Sequence, residues 1–415
     1  MSFSSPPAGP LAARSPRHSL PPAGTASCGA RAIVNARVMT EHGLLPGLAV
    51  VLDGERIAGL MPETAAQLAD LPQQDLGGHL LLPGFIDTQC NGGGGVLFNN
   101  APTVESLRIM AATHRRFGTT GLLPTLITDT AEAMRAAIAA LSQAIAEGVP
   151  GVLGMHLEGP FLNTEHKGIH DAGKFRLPDE ADIALIAGSP GATLVTLAPE
   201  RVSDATIRRL ADAGVIVAAG HTAADYDSTR AALRAGVRGF THLFNAMTPL
   251  ASRAPGAVGA ALDDPHSWCG VIVDGHHVHP ASLRVAIAAK PRGKVMLVTD
   301  AMPPVGSEAS EFLLDGRTIT CDGFVCRSAD GTLAGSALDM AAALRNTVHM
   351  LNLPLAEASR MASAYPADFL GLAGDRGRIA SGQRADFVVL DDDLSVLQTW
   401  IAGQPDRIDA VRGNA

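Results

Sequence analysis

Apolar and polar positions along the chain follow two rhythms. Near both ends they come as short β-branched runs broken by Gly and Asp: RAIVNARVMT and LAVVLDGERIAGLMP early, GRIASGQRADFVVLDDDLSVLQTWIAG late. Such runs predict antiparallel strands. The two ends together, residues 29–82 and 376–415, predict one small β-sandwich domain. Between them, short apolar strands alternate with longer stretches whose apolar residues recur three and four apart, the spacing of one helix face. Eight strand candidates follow in order: LLLPGFID, TGLLPTLIT, GVLGMHLEG, ATLVTLAPE, GVIVAAGHT, GFTHLF, CGVIVDGHH and KVMLVTDAM. Helical patterns such as VESLRIMAATHRRFG, TAEAMRAAIAALSQAIAEG and PASLRVAIAAK separate them. Eight βα units predict a (β/α)8 TIM-like barrel over residues 83–375, with an open doubly wound sheet as the alternative. The run FLLDGRTITCDGFVCR predicts a β-hairpin inserted near 305–331, before a further helix in SALDMAAALRNTVHML. Residues 1–28, rich in Pro, Ala, Ser and Gly without any period, predict a disordered tail.

Composition narrows the function classes. A chain of 415 residues is long enough for one large barrel with an accessory domain, and 47% hydrophobic with 18% charged residues suits a globular protein. Aromatics at 4% and a net charge of -9 supply neither the stacking platforms nor the basic field of a nucleic-acid binder. A small phosphorylated ligand needs only a local basic pocket, so the acidic total leaves that class open. The five cysteines are odd in number and lack CxxC spacing, so no disulfide framework or thiolate zinc site is expected and the thiols are read as reduced. No apolar run reaches the roughly 20 residues of a membrane span, and the N-terminus lacks a secretory core. A soluble cytoplasmic protein is expected.

In a barrel of this kind the active site forms at the C-terminal ends of the strands. Potential ligands crowd there: Asp87, Gln89 and Asn91 after strand one, His156 and Glu158 on strand three, His221 after strand five, His242 and Asn245 after strand six, Asp274, His276 and His277 after strand seven, and Asp300 after strand eight. A single histidine is more often a hydrogen-bonded structural side chain than a ligand. Here adjacent strands five and six aim His221 and His242 into one cavity, and Glu158 completes a set of two imidazoles and a carboxylate that leaves a coordination position open. Asp300 has two readings. It is a helix N-cap after a strand, or a carboxylate that takes a proton from water and passes it to a leaving amine.

At these residues the chain resembles the amidohydrolase superfamily, specifically the N-acetylglucosamine-6-phosphate deacetylases. The resemblance runs through PGFIDTQCNGGGG, HLEGPFLNTEHKGIH, TLAPE, AAGHT, THLFNAM, VIVDGHHV, VTDAMPP and GTLAGSALDM, and leaves out only the N-terminal tail. It implies that Glu158, His221 and His242 bind the metal, that Asp300 is the general acid/base, and that His170 polarises the amide carbonyl. It implies phosphate recognition by Asn245 with the backbone of Ala246, by Arg253, whose guanidinium fork matches phosphate oxygens, and by His277. Many superfamily members carry HxH after strand one for a second metal. Gln89, Cys90 and Asn91 stand there in this chain, so one divalent ion is expected: zinc, with iron, manganese or cobalt as alternatives. His156, His166, His276 and His279 are read as structural. The expected substrate is N-acetylglucosamine 6-phosphate, with the galactosamine epimer or a catalytically silent barrel as alternatives. A homo-oligomer, dimer or tetramer, is expected by resemblance.

Overall fold

Eight parallel strands form one sheet in strict chain order: β1 (Phe85–Cys90), β2 (Thr119–Ile127), β3 (Gly154–Glu158), β4 (Ala192–Leu197), β5 (Ile216–Ala219), β6 (Val237–Phe240), β7 (Trp268–Val271) and β8 (Val295–Leu297). The computed structural model describes residues 29–406 apart from residue 324. The expected tail, 1–28, and the last residues of the C-terminal segment, 407–415, lie outside the described residues. β1, β2 and β3 are buried at every position, so they read as continuous apolar runs and not as alternating ones. The sheet closes at its C-terminal end: the Asp300 amide donates to Gln89 O at 2.9 Å and the Asn91 amide to Ala301 O at 2.9 Å. Each strand is followed by a helix: α1 (Val104–Arg115), α2 (Ala131–Ala146), α3 (Glu180–Ala187), α4 (Asp204–Asp212), α5 (Tyr226–Ala235), α6 (Gly256–Asp263), α7 (Pro280–Ala289) and α8 (Met340–His349). Thr103, Thr130, Asp179, Ser203, Asp225 and Asp339 cap six of them by accepting a backbone N–H of the first turn. This is the (β/α)8 barrel that the alternating pattern predicts.

The first strand needs a correction. LLLPGFID is not one strand but two, broken at Gly84. Leu80–Pro83 joins a terminal sheet, pairing with Phe387–Leu390 and Arg37–Thr40, whereas Phe85 begins β1. A Cβ on Gly84 would lie 2.2 Å from the Thr120 side chain, so only glycine leaves room for that side chain there. The terminal segments form a six-stranded and a four-stranded sheet. Ile33, Val50, Leu52 and Ile57 of one share an apolar cluster with Val38, Leu81, Phe387 and Trp400 of the other.

The insertion after β8 is larger than one hairpin. Glu311–Leu314, Arg317–Cys321, Val325–Ser328 and Leu333–Ser336 form a four-stranded antiparallel sheet. The fourth strand, LAGS, is too short and too rich in small residues to show a pattern. The expectation of reduced thiols is also overturned for one pair: Cys321 and Cys326 are disulfide-bonded. They stand opposite each other on paired strands, a spatial relation that cysteine number and CxxC spacing do not report. Cys90 and Cys269 are free and buried.

Candidate active site

The strand ends carry the site because the chain must turn outward there, and three of its residues do so in an unusual way. His221, His242 and Asp300 have φ of 49°, 30° and 53°, the left-handed region that residues with a Cβ rarely adopt. Ala246 has φ 50° on the loop after β6. Backbone strain of this kind gathers where side chains must be aimed, and here it turns two imidazoles and a carboxylate toward the barrel axis.

Glu158, His221 and His242 offer ligand atoms that all lie within 4.8 Å of one another, and all three are buried. Nε2 of His221 and Nε2 of His242 stand 3.2 and 3.0 Å from Glu158 Oε1 and 3.1 Å from each other. His221 Nδ1 lies 2.9 Å from the carbonyl of His166 and donates to it, so a neutral ring carries its lone pair on Nε2. That lone pair faces a carboxylate oxygen and a second imidazole nitrogen. A cation at their meeting point satisfies all three donors, and a backbone carbonyl that fixes the other ring nitrogen is the usual support of a metal-ligating histidine. These residues fit a divalent metal. Burial raises the Glu158 carboxyl, but the hydrogen bonds and charges of His221 and His242 outweigh it and hold the group well below the usual carboxylate range.

Asp300 sits beside this group. Its Oδ1 accepts from Asn91 Nδ2 at 2.7 Å and from Gln89 Nε2 at 3.1 Å, and Gln89 Nε2 also lies 3.2 and 3.1 Å from the two Glu158 oxygens. Burial and the charge of Glu158 raise its proton affinity above that of an ordinary aspartate. The His170 ring lies 4.3 Å from that of His221, centroid to centroid and tilted by 58°, and its Nδ1 is 2.8 Å from Thr128 Oγ1. Burial, followed by the charge of His221, pushes its proton affinity well below that of an ordinary histidine and keeps it neutral.

A cavity of about 330 Å³ opens over these groups. It brings together Glu158, His170, His221, His242, Asn245, Ala246, His277 and Asp300. Arg253 is not brought in: it is exposed on the loop between β6 and α6 and is absent from the cavity wall. That loop points its side chains to solvent at 249–254, which separates the guanidinium from the chain's own cavity. Of the histidines read as structural, His156 is buried below the site, 2.7 Å from Thr196 Oγ1, and burial lowers its proton affinity to about 4. His279 caps α7. His166 does more than expected, lining the cavity while its carbonyl orients His221. Sequence reasoning singled out neither Thr128 nor, within VTDAMPP and GTLAGSALDM, Met302, Thr332, Leu333 and Gly335, and these last four bring the insertion and its approach into the wall.

A family model described as the amidohydrolase family matches residues 80–406. The chain belongs to the amidohydrolase family. It is 45% identical over 372 residues to an N-acetylgalactosamine-6-phosphate deacetylase of Shewanella, covering 89% of this chain and 94% of that one. It is 35% identical to an N-acetylglucosamine-6-phosphate deacetylase of Haemophilus influenzae, covering 90% of this chain and 98% of the relative. The solved N-acetylglucosamine-6-phosphate deacetylase of Pasteurella multocida superposes with a TM-score of 0.88 at 35% identity, covering 91% of this chain and 100% of that chain. Among the described residues of this amidohydrolase no helix is long and apolar enough to cross a membrane.

Proposed function

We propose that this amidohydrolase hydrolyses the acetamide of N-acetyl-D-glucosamine 6-phosphate, releasing acetate and D-glucosamine 6-phosphate. The observation that carries the reading is the meeting of Glu158, His221 and His242 with Asp300 and His170 in one cavity, in a chain whose relatives bear deacetylase names. One divalent cation is held by Glu158, His221 and His242, zinc in our reading, with iron, manganese or cobalt accepted by the same donors. When bound it supplies a Lewis acid and makes water acidic enough to lose a proton near neutral pH. Gln89 and Asn91 supply no imidazole for a second ion. Asp300, with its raised proton affinity, takes the proton of the attacking water and returns it to the departing nitrogen. Neutral His170, when Thr128 donates to its Nδ1, carries its proton on Nε2 and hydrogen-bonds through it to the carbonyl oxygen as charge develops. A preorganised donor of this kind contributes about 3 to 4 kcal/mol. Asn245, the backbone of Ala246 and His277 hold the phosphorylated end. Arg253, exposed outside the chain's own cavity, is left out of this assignment, and a homo-oligomer is proposed from the resemblance to the deacetylases. Phosphorylated sugars do not cross membranes unaided, which supports a cytoplasmic enzyme.

A second reading, the galactosamine epimer, is favoured by the 45% identity to the Shewanella relative. Acetate release by metal-replete protein, measured on both 6-phosphates and on the unphosphorylated sugars, tests both. A higher kcat/KM on one epimer assigns the substrate. No acetate from any of the four overturns the reading.

A further inference from the structure

The cavity wall contains three carboxylates, Glu158, Glu165 and Asp300, and, among the described residues, no lysine or arginine. A dianionic phosphate entering it therefore depends on histidines and amide N–H groups. His221 and His242 turn to Glu158, and His170 is held by Thr128. His277 is placed differently. Its Nδ1 lies 2.6 Å from Asp274 Oδ2, and the two side chains are 4% and 3% exposed. The other oxygen of Asp274 accepts the amides of His276 and His277 at 2.8 and 2.9 Å, so one carboxylate shapes the turn and orients the ring that the turn carries. The turn is fastened from behind, where Asn346 of α8 donates to Val273 O at 2.8 Å.

We propose that Asp274 is the positioning residue of the phosphate subsite: its carboxylate accepts the Nδ1–H of His277 and supports a second ring proton, so that Nε2–H donates to a phosphate oxygen in the cavity. The inference rests on the phosphorylated substrate proposed above. A carboxylate behind an imidazole stabilises the second ring proton when an anion approaches the opposite nitrogen, making a charge-assisted hydrogen bond. Burial raises the Asp274 carboxyl, but the hydrogen bond and charge of His277 outweigh it and keep the group below the usual carboxylate range, as an anion.

The test is Asp274→Asn in the full, metal-loaded chain. Asn still accepts the two turn amides through Oδ1 but brings no charge. KM for the phosphorylated sugar should rise at least about 10-fold, as loss of a charge-assisted hydrogen bond implies, and far more than kcat falls. KM for the unphosphorylated sugar should not move. His277→Gln, which leaves the Asp274 turn intact, should raise the same KM, and the double variant should lose little beyond either single one. An unchanged KM, or equal losses on phosphorylated and unphosphorylated sugars, overturns the proposal. Calorimetric titration with D-glucosamine 6-phosphate and with D-glucosamine separates this from the functional reading. A chain that releases no acetate yet prefers the phosphate form, and loses that preference in Asp274→Asn, refutes the reaction and keeps the subsite.

Discussion

The strand ends of the barrel and the four-stranded insertion above them both line the cavity, yet they are built on opposite plans. At the strand ends Glu158 closes a buried strand while His221, His242 and Asp300 leave theirs through short, strained turns, and each finds a partner: Glu158 with His221 and His242, Asp300 with Asn91 and Gln89. The insertion reaches the cavity with Thr332, Leu333 and Gly335, which carry no titratable group. It is fastened to the barrel from outside the reacting centre. Lys174 bridges Asp129 and Asp315 at 2.9 and 2.7 Å, and Arg317 donates to Ile169 O. The contrast teaches that chemistry is placed where the scaffold is least able to move, while the insertion shapes the space around it.

The largest effect that this contrast predicts is at its centre. Glu158→Gln keeps the shape but removes the charge that faces two imidazoles and that, under the proposed function, holds the cation. Activity should fall at least about 10³-fold, the scale of the several kcal/mol a Lewis acid supplies, and elemental analysis should show lost metal. A fully metallated and active variant would remove Glu158 from the centre. Asp300→Asn comes next. No helix begins after Asp300, so the N-cap reading falls away. Asn keeps the size but accepts no proton, so turnover should drop at least about 10²-fold while metal stays bound. Near-normal turnover in metal-replete protein would remove Asp300 from the proton transfer.

A smaller effect marks where the sequence stops being legible. The barrel, and the meeting of Glu158, His221 and His242 beside Asp300, could be read because each candidate ligand ends or follows a strand whose apolar run announces it, and strand order then brings the three together. Thr128 follows β2 in the same way, but a threonine after a strand carries no chemical signal until His170 is seen 2.8 Å away. Asp274 was visible as a strand-end carboxylate, whereas its grip on His277 depends on the path of a turn. Arg253 had a persuasive chemistry and an unpersuasive place, since residue type says nothing about which way a loop points. Thr128→Val, nearly isosteric, leaves His170 Nδ1 without a partner. It should lower kcat about 10-fold, the effect of an unsatisfied buried group, with little change in KM. An unchanged kcat would show that packing against His221 alone orients the ring.

The smallest effect belongs to the insertion, and it tests the contrast itself. Cys321 and Cys326 cross-link neighbouring strands at a sequence separation of 5, and closing so short a loop contributes about 2 kcal/mol in the chain-entropy account. That contribution acts mainly on the insertion, which has its own apolar cluster of Leu314, Ile319, Cys321, Cys326 and Ala334 against Leu97, Ile127, Ile169 and Met302. A unit with its own small core opens locally before the barrel does. Replacing both cysteines by alanine should therefore raise hydrogen exchange over residues 311–336 and lower Tm by no more than about 4 °C. Because the insertion adds no reacting group to the cavity, kcat should change less than about 3-fold, below the effect of losing one hydrogen bond to His170. If kcat instead falls as far as in Thr128→Val, the insertion helps to hold His170 through Arg317 and Ile169, and the boundary between the rigid floor and its cover must be moved to include it.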